Sequence, residues 1–388
     1  MGILARSRLF ISNSSMMTFF KKILFFLSPL PLIFVIPIIV LILGREYISI
    51  DQALGMQMKY SDSLFGFVYN DQSFISYKQA LVEYKNPEII ALGTSRVMQL
   101  RKEFFVRQDM FINAGGGAEN LNDVSQFIQN LSATSSVKVI LLGLDQDMFT
   151  SKENTFSYLP RKTNFFDVWK HILFTNIRKI YTDYARKKYS LQELLRKQSG
   201  HSIGIAAIIR GDGFRSDGSY RYGRIIEETD MAPRVQQQIQ DTLSAMKYGR
   251  YASFMTSGHE ENNIETLRSI LKLAKSKHIE VVGFSPPYPS KLYAHMKDSK
   301  EYSGTINLLP KHIKQVFNNA GFTFFDFSDI TLFNAPDTEF IDNIHASDKM
   351  HIRMLIVLTE NIPSLKKYID VKILRTMLDS SKENILTF

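Results

Sequence analysis

The chain has 388 residues, 45% of them hydrophobic and 22% charged, which is ordinary for a globular protein and gives one large domain or two modest ones with a buried core. Cysteine is absent, which excludes disulfides and thiolate metal or redox sites and suits an oxidising compartment. The formal net charge is +9, and ten basic against three acidic residues between Leu159 and Gly200 supply seven of those charges.

The first element along the chain is apolar. Ile23 to Leu43 contains no charged residue, long enough as a helix to cross a hydrocarbon core of about 30 Å, and the prolines at 29, 31 and 37 are tolerated inside membranes. The run is longer than a signal h-region and ends in Leu-Gly-Arg-Glu, which predicts an uncleaved anchor. Arg6, Arg8, Lys21 and Lys22 precede it, so the positive-inside rule puts the N-terminus in the cytoplasm and the main domain in the periplasm or outside the cell. Nucleic acid is not an expected partner there. The basic segment reads as a solvated helical face or as a surface for anionic lipid or an anionic polymer.

A polar and aromatic connector, Glu46 to Lys85, leads into a strand–helix alternation. Ile89–Leu92 and Phe111–Ala114 read as strands, and Gly115-Gly116-Gly117 follows the second. Val124, Phe127, Ile128 and Leu131 share one helical face, and Val137 to Asp145 reads as a buried strand with a continuous apolar run of the kind parallel strands have. From about Phe149 to Glu260 the alternation is interrupted by a basic, Gly/Ser-rich and Gln-rich stretch, too long for a loop. It resumes with a helix after Asn262, the strand Ile279–Phe284, a loop through Pro286-Pro287-Tyr288, a helix near Asn307–Asn319, the strand Phe322–Ser328 and a last helix starting near Ser347.

Five strands with intervening helices predict an α/β fold, a flavodoxin-like doubly wound parallel sheet with an inserted helical subdomain and an N-terminal transmembrane helix. The expected organisation is a cytoplasmic N-terminus at 1–22, an anchor at 23–43, a connector at 44–85, the sheet domain in two parts at 86–148 and 261–388, and the insertion at 149–260. Sites in such sheets lie beyond the carboxyl ends of the strands.

Ser95 stands just past the first strand, at a strand-to-helix turn where backbone N–H groups favour developing negative charge. A serine nucleophile needs a base, and the base an orienting group. Asp342 precedes His345 by three residues in the loop after the fifth strand, and that spacing can bring the carboxylate to one imidazole nitrogen while the other faces the serine. Asp348 and His351 repeat the spacing within the first turns of the last helix, and the loop pair is preferred because it reaches the sheet edge more easily. Each residue also has a bland reading: Ser95 as a turn or cap, the glycine run as a tight turn, His345 as a buried polar group, Arg96 as a surface charge. Arg96 could instead bind an acidic group, and Tyr288 could line a substrate groove. No metal-ligand spacing and no cofactor motif appears; the glycine run lacks the dinucleotide-binding spacing.

Gly-Thr-Ser after the first strand, Asn-Ala-Gly-Gly-Gly after the second and Asp-x-x-His near the C-terminus resemble the SGNH/GDSL hydrolase superfamily. The chain looks most like its membrane-anchored branch, which includes alginate and peptidoglycan O-acetylation proteins and D-alanyl-lipoteichoic-acid assembly proteins. The resemblance spans roughly Glu83 to Ile362, without the insertion. It implies Ser95 as nucleophile, His345 as base, Asp342 as its orienter, and the N–H groups of Ser95 and Gly115 as oxyanion donors, with Arg96, Asn113, Asp145 and Tyr288 towards substrate. Asp145 stands where the superfamily usually has an asparagine, and an ionised carboxylate cannot donate to an oxyanion. The function so implied is an O-acyltransferase or esterase, acting on a cell-envelope or exported polysaccharide at the bilayer with a membrane-bound O-acyltransferase as acyl donor and no cofactor. The alternative is a non-catalytic glycan-binding or assembly partner of such an acyltransferase.

Overall fold

The computed structural model describes residues 13–27, 32–70, 73–149, 165–197, 200–226, 231–249 and 261–381. In chain order come helices α1 (Asn13–Leu27), α2 (Leu32–Leu43), α3 (Ile50–Lys59) and α4 (Ser73–Lys85), strands β1 (Ile89–Gly93) and β2 (Phe111–Gly115), α5 (Leu121–Gln129) and β3 (Val139–Gly143). Next are α6 (Phe165–Ala185), α7 (Leu191–Arg196), the short strands β4 (Gly213–Phe214) and β5 (Tyr220–Arg221), α8 (Gly223–Ile226) and α9 (Ala232–Lys247). The chain closes with α10 (Glu261–Ser276), β6 (Glu280–Ser285), α11 (Ser290–Asp298), α12 (Leu309–Ala320), β7 (Thr323–Asp326), α13 (Asp348–Asn361) and α14 (Val371–Ser380).

β1, β2, β3, β6 and β7 form one five-stranded, all-parallel sheet in the order β2-β1-β3-β6-β7. Starting from β2 and stepping across β1 to the later strands, this is the doubly wound order with a switch point beside β1. Every residue of β1, β2 and β3 is buried, because helices cover both faces. Alternate residues divide between two cores. Ile90, Leu92, Ile140 and Leu142 meet Leu81, Phe127, Leu271 and Phe317 of α4, α5, α10 and α12. Ile89, Ala91, Val139 and Leu141 meet Val235, Met350, Ile352 and Leu355 of α9 and α13.

Between β3 and α10 the described chain carries α6 to α9 and the strand pair β4–β5, and this stretch is tied to both the connector and the sheet. Phe65 exchanges backbone hydrogen bonds of 2.9 and 2.8 Å with Phe214, and Ile203 donates at 2.8 Å to Leu64. The amide of Asn113 on the edge strand β2 donates at 2.8 Å to Asp217, and that of Tyr220 at 3.0 Å to Met98. The insertion therefore covers a sheet edge that would otherwise be open, and reaches the rim where β1 and β2 end.

The expected transmembrane helix over Ile23 to Leu43 is corrected by the structure. Among the described residues no helix is long and apolar enough to cross a membrane. α1 ends at Leu27 and α2 begins at Leu32, while residues 28–31, with Pro29 and Pro31, lie outside the described residues, as do Arg6 and Arg8. α2 has 12 residues, which span roughly 18 Å against the roughly 30 Å required. Part of its apolar surface is used within the protein: Val40 and Leu41 pack with Ile172, Ile180, Leu194 and Ile205, and the Tyr181 hydroxyl donates at 2.7 Å to Ile33 O. The expectations built on that anchor fall with it: single-pass topology, a periplasmic or extracellular main domain, bilayer contact, a membrane-bound acyltransferase partner and a cell-envelope polysaccharide substrate.

Candidate active site

Ser95 opens a 3-10 turn, Ser95–Val97, at the carboxyl end of β1. The strand ends at Gly93, whose φ of +153° and close approach to the Gly143 backbone leave no room for a side chain. The Thr94 hydroxyl caps the turn, accepting from the Arg96 amide at 3.2 Å. As the first residue of the turn, Ser95 keeps its own N–H without an acceptor among the described residues.

His345 is held by a closed loop. Ile341 N donates to His345 O at 2.8 Å, Ser347 N donates to Glu339 O at 2.9 Å, and Arg353 grips the Glu339 carboxylate with two bonds of 2.9 and 2.8 Å. From α9, Arg234 donates at 3.1 Å to Ile341 O, and Asn343 donates at 2.9 Å to the Thr242 hydroxyl. Within the loop one Asp342 oxygen accepts the amides of Ile344 and His345 at 2.9 and 2.7 Å. The other lies 2.7 Å from His345 Nδ1, and His345 Nε2 lies 2.8 Å from Ser95 Oγ.

In a neutral imidazole those contacts set the tautomer. An ionised carboxylate only accepts, so Nδ1 carries the imidazole proton and Nε2 presents its lone pair to the serine hydroxyl. Burial raises the Asp342 pKa, but the His345 hydrogen bond and charge and the two amides outweigh it, leaving the group below the usual carboxylate range. The side chains of His345 and Asp342 are 17% and 19% exposed, largely sheltered from solvent.

The remaining expected site residues are placed differently from one another. Gly115 stands next to Gly93 in the sheet, but its N–H is engaged by Asn113 Oδ1 at 2.7 Å. The Gly116 N–H donates to Gly93 O and Thr94 O at 2.9 and 3.0 Å. Asn113 is fully buried and donates to Val97 O and Leu100 O at 2.8 and 2.7 Å, bracing the turn from beneath. Asp145 is buried between the Thr94 hydroxyl and Arg96, whose Nη1 is 2.6 Å away. Arg96 is itself buried rather than a surface charge. It donates to Pro286 O at 3.1 Å, Pro287 O at 2.6 Å and Ile344 O at 3.3 Å, and lies 4.0 Å over the Tyr288 ring. Tyr288 is fully buried, with its hydroxyl 2.7 Å from Gln146 Oε1. Arg96, Asn113, Asp145 and Tyr288 thus form the frame of the rim.

The second Asp-x-x-His pair faces inward. His351 is fully buried on α13, with Nδ1 2.8 Å from Ser347 O and Nε2 3.1 Å from Arg96 O. Burial pushes its pKa down to about 4, so the ring is neutral at pH 7. Tyr222 was not anticipated: its ring centroid lies 5.9 Å from that of His345, and it packs with Ile225 against Met231 and Ile341. Its sequence signal was faint, a tyrosine alternating with Tyr220 in a Gly/Ser-rich stretch. Among the described residues, no group of three or more His, Asp or Glu side chains is arranged to hold a metal ion.

No family model matches this chain, and neither a curated protein nor a solved structure does. The resemblance to the SGNH/GDSL superfamily and its membrane-anchored branch is therefore corrected: the short motifs that suggested it, each of three to five residues, are not backed by similarity along the chain, and the described residues hold no spanning helix.

Proposed function

We propose that the chain is a serine-dependent enzyme of acyl transfer, hydrolysing a carboxylic ester or passing its acyl group to another hydroxyl. The observation that carries this reading is the pair of hydrogen bonds linking Ser95, His345 and Asp342, at 2.8 and 2.7 Å. In the first step Ser95 Oγ attacks the ester carbonyl carbon while His345 Nε2 takes its proton, and Asp342 stabilises the imidazolium. The tetrahedral oxyanion forms beside the Ser95 N–H. Its collapse breaks the carbon–oxygen bond to the alcohol, which leaves with the proton from His345. Water, or an acceptor hydroxyl, then gives its proton to His345 and attacks the acyl-serine, and collapse returns the proton to Ser95.

The full chain is tested with p-nitrophenyl acetate and a fluorophosphonate probe. Labelling that vanishes, and turnover that falls to a small residual rate, in Ser95→Ala and His345→Ala are the expected result. A wild-type chain that neither turns over the ester nor labels, or a Ser95→Ala chain that labels equally, overturns the reading.

A further inference from the structure

Arg96 directly follows Ser95, and its side chain reaches the ends of three other segments at the same rim. Nη1 meets Asp145 after β3, Nη2 meets the carbonyls of Pro286 and Pro287 after β6, and Nε meets the carbonyl of Ile344, the residue before His345. The Tyr288 ring closes the flat face of the guanidinium. Turning this group out towards a substrate would leave the buried Asp145 carboxylate without its cation and several buried carbonyls without donors.

We propose that Arg96 is a positioning residue that sets the distance between the nucleophile and its base. It rests on reading Ser95 and His345 in those roles. The loop carrying His345 and the turn carrying Ser95 are some 250 residues apart in sequence and share no strand pairing, so side-chain bonds must fix their separation. The guanidinium fork is suited to this because it is rigid, always charged, and points donors in several fixed directions. An ammonium in its place can neutralise Asp145 but cannot reach Pro286, Pro287 and Ile344 together. A displacement of about 1 Å between reacting groups costs on the order of 10²-fold in rate.

The test is Arg96→Lys, made in the wild-type chain and in His345→Ala, with p-nitrophenyl acetate kinetics and crystal structures of wild type and variant. In the wild-type background kcat is expected to fall about 30- to 100-fold with KM changed less than about threefold. In the His345→Ala background the same change is expected to lower the residual rate less than about twofold, because the residue acts through the base. The crystal structure is expected to show Ser95 Oγ and His345 Nε2 beyond hydrogen-bond reach. An unchanged kcat, a rise in KM alone, an equal loss in both backgrounds, or an unmoved Ser95–His345 pair overturns the proposal. If the wild type is inert yet the pair separates in the variant, the positioning role stands and the catalytic reading fails. Should Arg96→Lys not fold, Asp145→Asn, which removes the clamp on the guanidinium, is expected to lower kcat about tenfold at constant KM. A folded Asp145→Asn chain with wild-type kcat also overturns the proposal.

Discussion

His345 Nε2 and Ser95 Oγ lie 2.8 Å apart although 250 residues separate them in the chain. Parallel strands make this possible. The turn after β1 and the loop beyond β7 open on the same edge of the sheet, and the Asp342 carboxylate turns the imidazole so that its unprotonated nitrogen faces the hydroxyl.

Asp342→Asn tests the orienting role. An amide in place of the carboxylate can donate to Nδ1, which favours the tautomer with its proton on Nε2, facing the serine. The expected loss is on the order of 10³- to 10⁴-fold in kcat with little change in melting temperature, measured by ester hydrolysis and calorimetry. A loss under tenfold would count against the carboxylate as orienter.

His345→Ala and His351→Ala separate the two Asp-x-x-His pairs. Only His345 faces Ser95, so His345→Ala is expected to abolish fluorophosphonate labelling, whereas His351→Ala keeps it and loses stability. The pH dependence has a definite sign. With a folded pKa of about 4 against an ordinary 6.5, His351 binds its proton more readily when unfolded. Its contribution to stability is full above about pH 6.5 and is lost as pH falls towards 4, by roughly 3 kcal/mol. Replacing His351 with Gln should flatten that part of the curve, as read by denaturant titration at several pH values.

Glu46 should act in the opposite direction. It is fully buried after α2 and accepts the amides of Val68, Tyr69 and Ile205 at 2.8 to 3.1 Å. Burial, only partly offset by those amides and by Lys179, raises its pKa to about 7. The folded chain therefore holds this proton more tightly, and the associated stability is present below about pH 4.5 and lost as pH rises through 7, by roughly 3 kcal/mol. Glu46→Gln stays neutral at every pH and should remove the decline. The two variants thus shift the pH–stability curve oppositely between pH 4.5 and 6.5; parallel curves would contradict both assignments.

Gly93→Ala addresses the turn itself. A Cβ there would sit 2.7 Å from Gly143 O, on a residue with φ of +153°. A loss of roughly 1–3 kcal/mol is expected, together with slower labelling of Ser95, since the turn must shift to relieve the contact. Wild-type melting and labelling would show that the strand end tolerates a side chain.

Much of the sheet was readable from local pattern. The runs at Ile89–Leu92, Val139–Leu144 and Val281–Phe284 are apolar throughout because strands covered on both faces have no polar side, and each ends at the rim where the candidate site residues gather. The sequence by itself also placed a hydroxyl after β1 and two Asp-x-x-His pairs near the end of the chain. Tertiary structure alone decided which histidine faces the serine, that the Gly115 amide is already engaged, that Arg96 and Asp145 neutralise each other inside, and that Tyr222 comes in from the insertion. It also decided that α2 uses part of its apolar surface against α6 and α7. The physical reason is common to all of these. Apolar periodicity is a property of neighbours along the chain, whereas the satisfaction of a donor, acceptor or charge depends on partners that arrive from remote segments only when the sheet has assembled.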